Sequence, residues 1–302
     1  MSEPVIAVRG LRKSYGEVHA VRGIDLDIRA GEVFAFLGPN GAGKTTTVEI
    51  LEGYRRRTEG TVTVLGRDPA EPTREWRERI GIVLQSSSLQ PELTVREAVE
   101  QFAGFYSRPL PVEETLDLVG LGDCAGDRTA RLSGGQERRL DVALALVGDP
   151  ELLFLDEPTT GFDPSARRQA WEVIANLRAL GKTVFLTTHY MDEAQRLADR
   201  VAIIAKGQIV AQGAPAEIGG GDAPTSIAFR LPDGMSVSDV PVPGAAVDNG
   251  SVRIETGSAV QALSRLTGWA LERRIDLQEL EVRQPSLEDV YLRLTRDAEE
   301  TE

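Results

Sequence analysis

The sequence predicts an α/β fold: a largely parallel sheet flanked by helices, joined to a small α/β C-terminal appendage. Three observations predict it. Short apolar runs rich in β-branched residues recur at 32–37, 61–65, 80–84, 152–155, 183–186 and 201–205, and helical stretches separate several of them. A glycine-rich stretch, GPNGAGKTT at 38–46, sits between one such run and a helical segment. Composition then changes at 219–226, GGGDAPTS, as expected of a linker. The expected organisation is a main domain over residues 1–218, the linker 219–226 and a small domain over 227–302.

Taken in order, 5–8 and 24–28 are short strands flanking 11–21, where Tyr15 stands in Ser14-Tyr15-Gly16. An aromatic there can stack on an adenine or pack a turn, and the loop downstream favours stacking. The run 32–37 leads into Gly38, Pro39, Asn40, Gly41, Ala42, Gly43, Lys44, Thr45 and Thr46, which fit G-x-x-x-x-G-K-[ST]. Glycines let backbone N–H groups turn inward around a polyphosphate, where a side chain would block the approach. Lys44 adds positive charge near the β- and γ-phosphates, and the Thr45 hydroxyl suits Mg²⁺. Residues 44–51 form a helix whose N-terminus faces the anion. A ligand-free turn is the plainer alternative, disfavoured by the strand before and the helix after.

Residues 94–106 and 113–119 are helical by pattern, with Thr94 near the start of the first. Over 136–147, Leu140, Ala143, Leu144 and Val147 recur at helical spacing, leaving Glu137, Arg138 and Arg139 at a polar beginning. Asp163 and Pro164 are N-cap and first residue of a helix ending near Gly181. Beyond the linker, strands are expected at 227–231, 251–255 and 276–283, and helices at 258–271 and 287–294, the last with a Ser286–Asp289 capping-box spacing.

Ligands of parallel sheets bind at the carboxyl ends of the strands. The phosphate loop, Gln85, Asp156, Glu157 and His189 all fall on that edge. Asp156 and Glu157 close a fully apolar run, which favours a working pair over solvated acids in the turn before Pro158. Asp156 is placed to hold Mg²⁺ through water, and Glu157 to position or deprotonate a water. Leu132, Ser133, Gly134, Gly135 and Gln136 open the 136–147 helix. A hydroxyl and free N–H groups at a helix N-terminus make a second anion site, and Ser133 can be an ordinary N-cap as well. One chain already has a phosphate site, so the second suggests service to another chain's nucleotide.

Whole-chain numbers narrow the classes. The 302 residues leave room for about two domains, and 41% hydrophobic with 27% charged residues is an ordinary globular balance. A net charge of −13 argues against a broad nucleic-acid or anionic-membrane footprint. Cys124 is the sole cysteine, which excludes an internal disulfide and a cysteine-rich zinc site and suits a reducing cytoplasm. Residues 1–9 lack an apolar core after a basic start, so no signal peptide is expected. No run approaches the ~18 apolar residues of a membrane span. A membrane role would come through a partner.

Together these motifs resemble the nucleotide-binding subunit of ATP-binding cassette (ABC) transporters over roughly residues 5–215. The resemblance implies a P-loop NTPase of ABC type with a helical subdomain carrying the signature motif. Tyr15 matches the adenine-stacking aromatic and 38–46 the Walker A loop. Gln85 matches the Q-loop glutamine, a Mg²⁺ and water ligand that senses the membrane partner. Asp156 and Glu157 match the Walker B aspartate and catalytic glutamate, residues 132–136 the signature, Asp163 the D-loop aspartate and His189 the switch histidine. Outside that frame, Gln85 is a polar strand end, Asp163 an N-cap and His189 a strand cap. Phe162 stands where leucine is more usual. The family implies ATP and Mg²⁺, a head-to-tail homodimer with ATP at the interface, and a separate transmembrane permease. Residues 86–106, directly after the nucleotide sensor Gln85, are the expected contact for that permease. It also implies a place on the cytoplasmic face of the membrane. The tail PSLEDVYLRLT at 285–295 is similar to that of daunorubicin-resistance-type exporter ATPases, implying export of a drug, antibiotic or lipid-like substrate. The alternatives are an importer ATPase with a regulatory tail and a soluble cassette ATPase of DNA repair or translation. The latter usually carry coiled-coil inserts, zinc cysteines or two cassettes.

Overall fold

The computed structural model describes residues 3–83, 90–220, 224–231, 235–248, 251–283 and 287–291. The chain divides into two compact units at Ala214 and Pro215. The first unit contains, in order, β1 (Ile6–Tyr15), β2 (Val18–Ile28), β3 (Val33–Leu37), α1 (Lys44–Leu51), β4 (Glu59–Val64), α2 (Arg74–Glu78) and β5 (Ile80–Val83). It continues with α3 (Val95–Ala103), α4 (Val112–Leu118), α5 (Gly134–Leu146), β6 (Leu152–Asp156) and α6 (Pro164–Ala179). It closes with β7 (Thr183–Thr188), α7 (Met191–Leu197), β8 (Arg200–Ala205) and β9 (Gln208–Gly213).

Strands β5, β6, β7, β3, β8 and β9 form the main sheet in that spatial order. All its pairings are parallel except that of β8 with β9. Strands β3 and β7 are buried along their whole length, which is why they spell continuous apolar runs. Pleat alternation sorts their side chains. Phe34, Phe36, Phe154 and Phe185 share one face, with the Phe185 ring 5.6–5.8 Å from the other three. They join one core with Ile6, Val8, Leu26 and Ile28 of the antiparallel sheet β2-β1-β4. The opposite face takes helices, with α6 on β7, α7 on β3 and β7, and α5 on β5.

The strand expected at 61–65 therefore lies elsewhere than expected. It is β4, paired antiparallel with β1 and outside the parallel sheet. The segment 11–21 is also strand: β1 and β2 form one long hairpin turning at residues 16–17. Helix bounds follow their caps. Thr94 caps α3 in a reciprocal box with Glu97, and Asp163 accepts from the Ser165 and Ala166 N–H groups with Pro164 at the first position of α6.

The second unit holds α8 (Pro215–Gly220), β10 (Thr225–Arg230), β11 (Ala246–Asp248), β12 (Ser251–Thr256), α9 (Ala259–Arg273) and β13 (Gln278–Arg283). Its sheet is antiparallel in the order β11-β12-β10-β13, and Ile227, Phe229, Val252 and Ile254 share a core with Leu266 and Trp269 of α9. The stretch expected as a linker is shorter than 219–226, because α8 extends to Gly220 and β10 begins at Thr225. Residues 287–291 are helical, and the rest of the expected 287–294 helix lies outside the described residues, as does Ser286.

Phe185 is 1% exposed at the centre of the phenylalanine cluster. Phe185→Ala is expected to lower unfolding free energy by about 3–5 kcal/mol in urea titration. A loss below about 1 kcal/mol would show that the cluster does not hold the two sheets together.

Candidate functional site

The register of the parallel strands sets the site. Leu37 at the end of β3 pairs with Thr188, and Asp156 at the end of β6 pairs with Thr187. The phosphate loop, the carboxylates and His189 thus leave the sheet at nearly one height. The loop's shape needs glycine at two closely packed places. A Cβ on Gly38 would lie 2.4 Å from the Ile204 carbonyl oxygen, and one on Gly43, at φ +104°, would lie 2.4 Å from that of Ala20. Lys44 is buried, and its Nζ donates to the carbonyl oxygens of Gly38 (2.7 Å) and Pro39 (3.2 Å). Burial lowers its pKa, while the negative charges of Glu157 and Asp156 oppose that shift. The result is a cleft of about 360 Å³ lined by Pro39, Asn40, Gly41, Gly43, Lys44, Thr45, Thr46, Asp156 and Glu157.

A buried polar framework holds the two carboxylates. The Thr187 hydroxyl donates to Asp156 Oδ1 (2.5 Å) and accepts from the Glu157 N–H (3.0 Å). Arg138 donates to the Asp156 carbonyl oxygen at 2.7 Å. Glu157 adopts φ +45°, a left-handed backbone rare for a residue with a side chain. Thr160 donates to Glu157 Oε2 (3.0 Å), and His189 Nδ1 stands 3.5 Å from Oε1. One turn behind His189, the fully buried Glu193 of α7 accepts from Thr159 (2.9 Å) and from the Trp171 indole N–H (3.1 Å). Burial raises its pKa, and its two hydrogen bonds tie the loop after Glu157 to the helix after His189.

The second anion-binding candidate is separate. Ser133 caps α5, accepting from the Gln136 N–H while Gln136 Oε1 accepts from the Ser133 N–H. This box starts α5 at Gly134, two residues before the start expected from the apolar pattern. Ser133, Gly134, Gly135 and Gln136 line a hollow of about 330 Å³ with Gly161, Phe162 and Asp163. Hydrogen bonds from the Ala166 and Ser165 N–H groups hold the Asp163 carboxyl below its usual range. This hollow shares no lining residue with the phosphate cleft.

Gly38, Ala42 and His189 adjoin the cleft without lining it, and Gln85 and Tyr15 are not placed in it. Gln85 lies outside the described residues. Tyr15 is half-exposed, does not line the cleft, and has Lys13 Nζ 4.9 Å and Arg55 Cζ 5.3 Å from its ring centroid. Sequence reasoning missed Arg138, Thr187 and Glu193. Arg138 had a signal, since an arginine three residues before Asp141 in an apolar helix makes a local ion pair, at 3.5 Å here. Thr187 stands near the end of an apolar strand and Glu193 follows Asp192 in a mixed helix, with nothing in the sequence to single either out.

Fold and cleft define a phosphate-loop nucleotide-binding domain. Residues 21–160 match the family described as ABC transporter, and 225–286 match the C-terminal domain described as ABC transporter domain-containing protein-like. Nod factor export ATP-binding protein I of Paraburkholderia xenovorans is 38% identical over 301 residues, 98% of each chain. Daunorubicin resistance ATP-binding protein DrrA3 of Streptomyces coeruleorubidus is 36% identical over 308 residues, again 98% of each. Among solved structures, cbiO1 of Clostridium perfringens, part of the ABC transporter complex cbiONQ, superposes with a TM-score of 0.65 at 31% identity, covering 72% of this chain and 91% of that one. The ATP-binding cassette MJ0796, a dimer bound to ADP and Pi, gives a TM-score of 0.61 at 27% identity over 69% and 98%. This chain belongs to the family of ABC transporter ATP-binding subunits, which bind and hydrolyse ATP.

A larger groove of about 630 Å³ opens elsewhere on the same unit, lined by Glu52, Trp76, Leu93, Phe102, Tyr106 and Leu144 among others. Glu52 is 7% exposed. Burial, then repulsion from Asp156 and Glu49, pushes its carboxyl up from 4.5 to about 8. The folded chain thus keeps a proton that the unfolded chain has released, and this contribution to stability is full below about pH 4.5 and lost as pH rises through about 8. Glu52→Gln, uncharged throughout, is expected to be more stable than the wild type at pH 8.5 by about 1–3 kcal/mol, with a flatter pH profile in urea unfolding. Parallel profiles for the two proteins would contradict a carboxyl buried in its neutral form.

Proposed function

We propose that this chain is the ATP-hydrolysing subunit of an exporter, acting as a two-fold dimer on a separate membrane permease. The observation that carries it is the disjunction of the two anion sites. One chain offers the phosphate cleft on Lys44 and Thr45 and, away from it, the Ser133–Gly135 hollow. In a two-fold dimer the hollow of each subunit covers the nucleotide of the other, and both sites form at once. The γ-phosphate then joins the subunits, and hydrolysis releases them. That cycle does conformational work on the permease.

In this reading Gly38 to Thr46 cradle the triphosphate and Tyr15 offers its half-exposed ring to adenine. Ser133, Gly134, Gly135, Gln136 and Asp163 approach from the partner. Glu157 takes the proton of the attacking water or orients it, and His189, beside it, contacts the γ-phosphate. Mg²⁺ fits the donors present. Thr45 and Asp156 supply a hydroxyl and a carboxylate in one cleft, both hard oxygen donors. Among the described residues no cluster of three or more His, Cys, Asp or Glu could hold a metal, which suits an ion taking its other ligands from triphosphate and water. When bound, Mg²⁺ would neutralise developing phosphate charge. Gln85 is assigned to Mg²⁺ and water by sequence alone.

Two relatives that extend over nearly the whole chain, tail included, are named for export and for daunorubicin resistance. They support export of a drug, antibiotic or lipid-like molecule. No helix among the described residues is long and apolar enough to cross a membrane, so attachment at the cytoplasmic face runs through the permease. The 630 Å³ groove is its docking place. Gln90, Leu93, Ala98, Gln101, Phe102 and Tyr106 of the segment after Gln85 line it.

Glu157→Gln is expected to cut ATPase turnover by about 100-fold or more while ATP binding persists and the dimer accumulates in size-exclusion chromatography. Near-normal turnover would remove Glu157 as the base. Mixing Lys44→Ala chains with Ser133→Arg chains tests the shared site. Each alone is expected to be inactive, and the mixture to recover up to about a quarter of wild-type activity through the one intact composite site. No recovery, with mixed dimers demonstrated, would refute the trans arrangement.

A further inference from the structure

We propose that Glu52 recognises an arginine or lysine on the permease helix that docks in the 630 Å³ groove. The inference rests on the docking reading above and adds the chemistry of what is docked. Buried acids in the first unit otherwise have partners. Glu32 bonds to the Arg29 N–H and to Arg200, Asp141 pairs with Arg138, and Glu193 accepts from Thr159 and Trp171. Glu52 is as buried as these, yet among the described residues its carboxylate has neither a hydrogen bond nor an ion pair, while its backbone N–H is bonded to the Val48 carbonyl oxygen. Its side chain lines the groove. An uncompensated carboxylate of this kind is costly, and the raised pKa is the mark of that cost.

The surroundings say what would satisfy it. Tyr54, Trp76, Phe102 and Tyr106 line the same groove as the acid. Aromatic rings and a carboxylate in one groove suit a guanidinium, which stacks on rings and donates in a fork to an acid. Lysine meets the charge without the fork. Arg77 is on the groove wall but exposed, and it does not pair with Glu52. The matching occupant is an amphipathic helix with one cation set in its apolar face, the apolar part covering Leu93 and Leu144. The place also connects the two ends of the machine. Glu52 is the C-cap of α1, whose first residue is Lys44 of the phosphate loop. One helix of eight residues thus joins the nucleotide to the docking acid.

The test uses the full-length protein and a library of 16-residue amphipathic helical peptides randomised on the apolar face, selected at pH 8.5. Groove binding is read by crosslinking from a Phe102→Cys variant. Arginine or lysine is expected to be enriched about tenfold at one position of the bound peptides. The enrichment should vanish on Glu52→Gln and persist on Glu52→Asp, which keeps the charge and guards against a general loss of fold. Groove-bound peptides without basic enrichment, or enrichment that survives Glu52→Gln, would overturn the inference and leave the docking reading standing. If no peptide crosslinks in the groove, both fall.

Discussion

The constraint on which the rest depends is the parallel register of β3, β6 and β7. Parallel neighbours deliver their carboxyl ends to one edge, and the pairings of Leu37 with Thr188 and Asp156 with Thr187 make that edge level. Nothing at the site is built by a loop acting alone. The phosphate loop starts from β3, the carboxylates from β6 and the histidine from β7, and the phenylalanine cluster beneath locks these strands against the antiparallel sheet. A shift of one residue in any pairing would turn the aromatic side chains to the helical face and scatter the polar groups.

Above that edge, direction is set by polar groups withdrawn from water. Thr187 touches both Asp156 and the backbone of Glu157, Arg138 holds the carbonyl of Asp156, and Glu193 fastens the loop between Glu157 and Asp163. Buried hydrogen bonds of this kind are most valuable when every member is satisfied. They explain how carboxylates at a strand end, normally free to swing, keep fixed bearings. A rigid edge and a rigid polar frame are what pre-organised phosphoryl chemistry requires.

Much of this was legible in the sequence because the strongest signals are local. The glycine spacing of 38–46, the apolar run before Asp156 and the Asp163-Pro164 cap each specify their own geometry, and α1 runs from Lys44 to Leu51 as its pattern indicates. What the sequence hid is non-local. The assignment of β4 to the antiparallel sheet depends on its pairing with β1, far away in the chain. Strands β1 and β2 alternate in exposure, and their polar stretches disguised a continuous hairpin. The work of Glu193 was invisible because a glutamate inside a short helix looks like a solvated one until Trp171 and Thr159 are folded around it. Tyr15 shows the converse: its motif position is plain, while its ring has Lys13 and Arg55 as neighbours and does not line the cleft.

The left-handed backbone at Glu157 has a consequence for how this protein evolves and can be engineered. A side chain in that conformation costs on the order of 1–2 kcal/mol relative to glycine. Selection for heat resistance alone would therefore favour glycine or asparagine at this position. An acid on so awkward a backbone is what the proposed role of Glu157 at the water leads one to expect. A design that scored folding alone would discard this acid, and with it the group proposed to activate water.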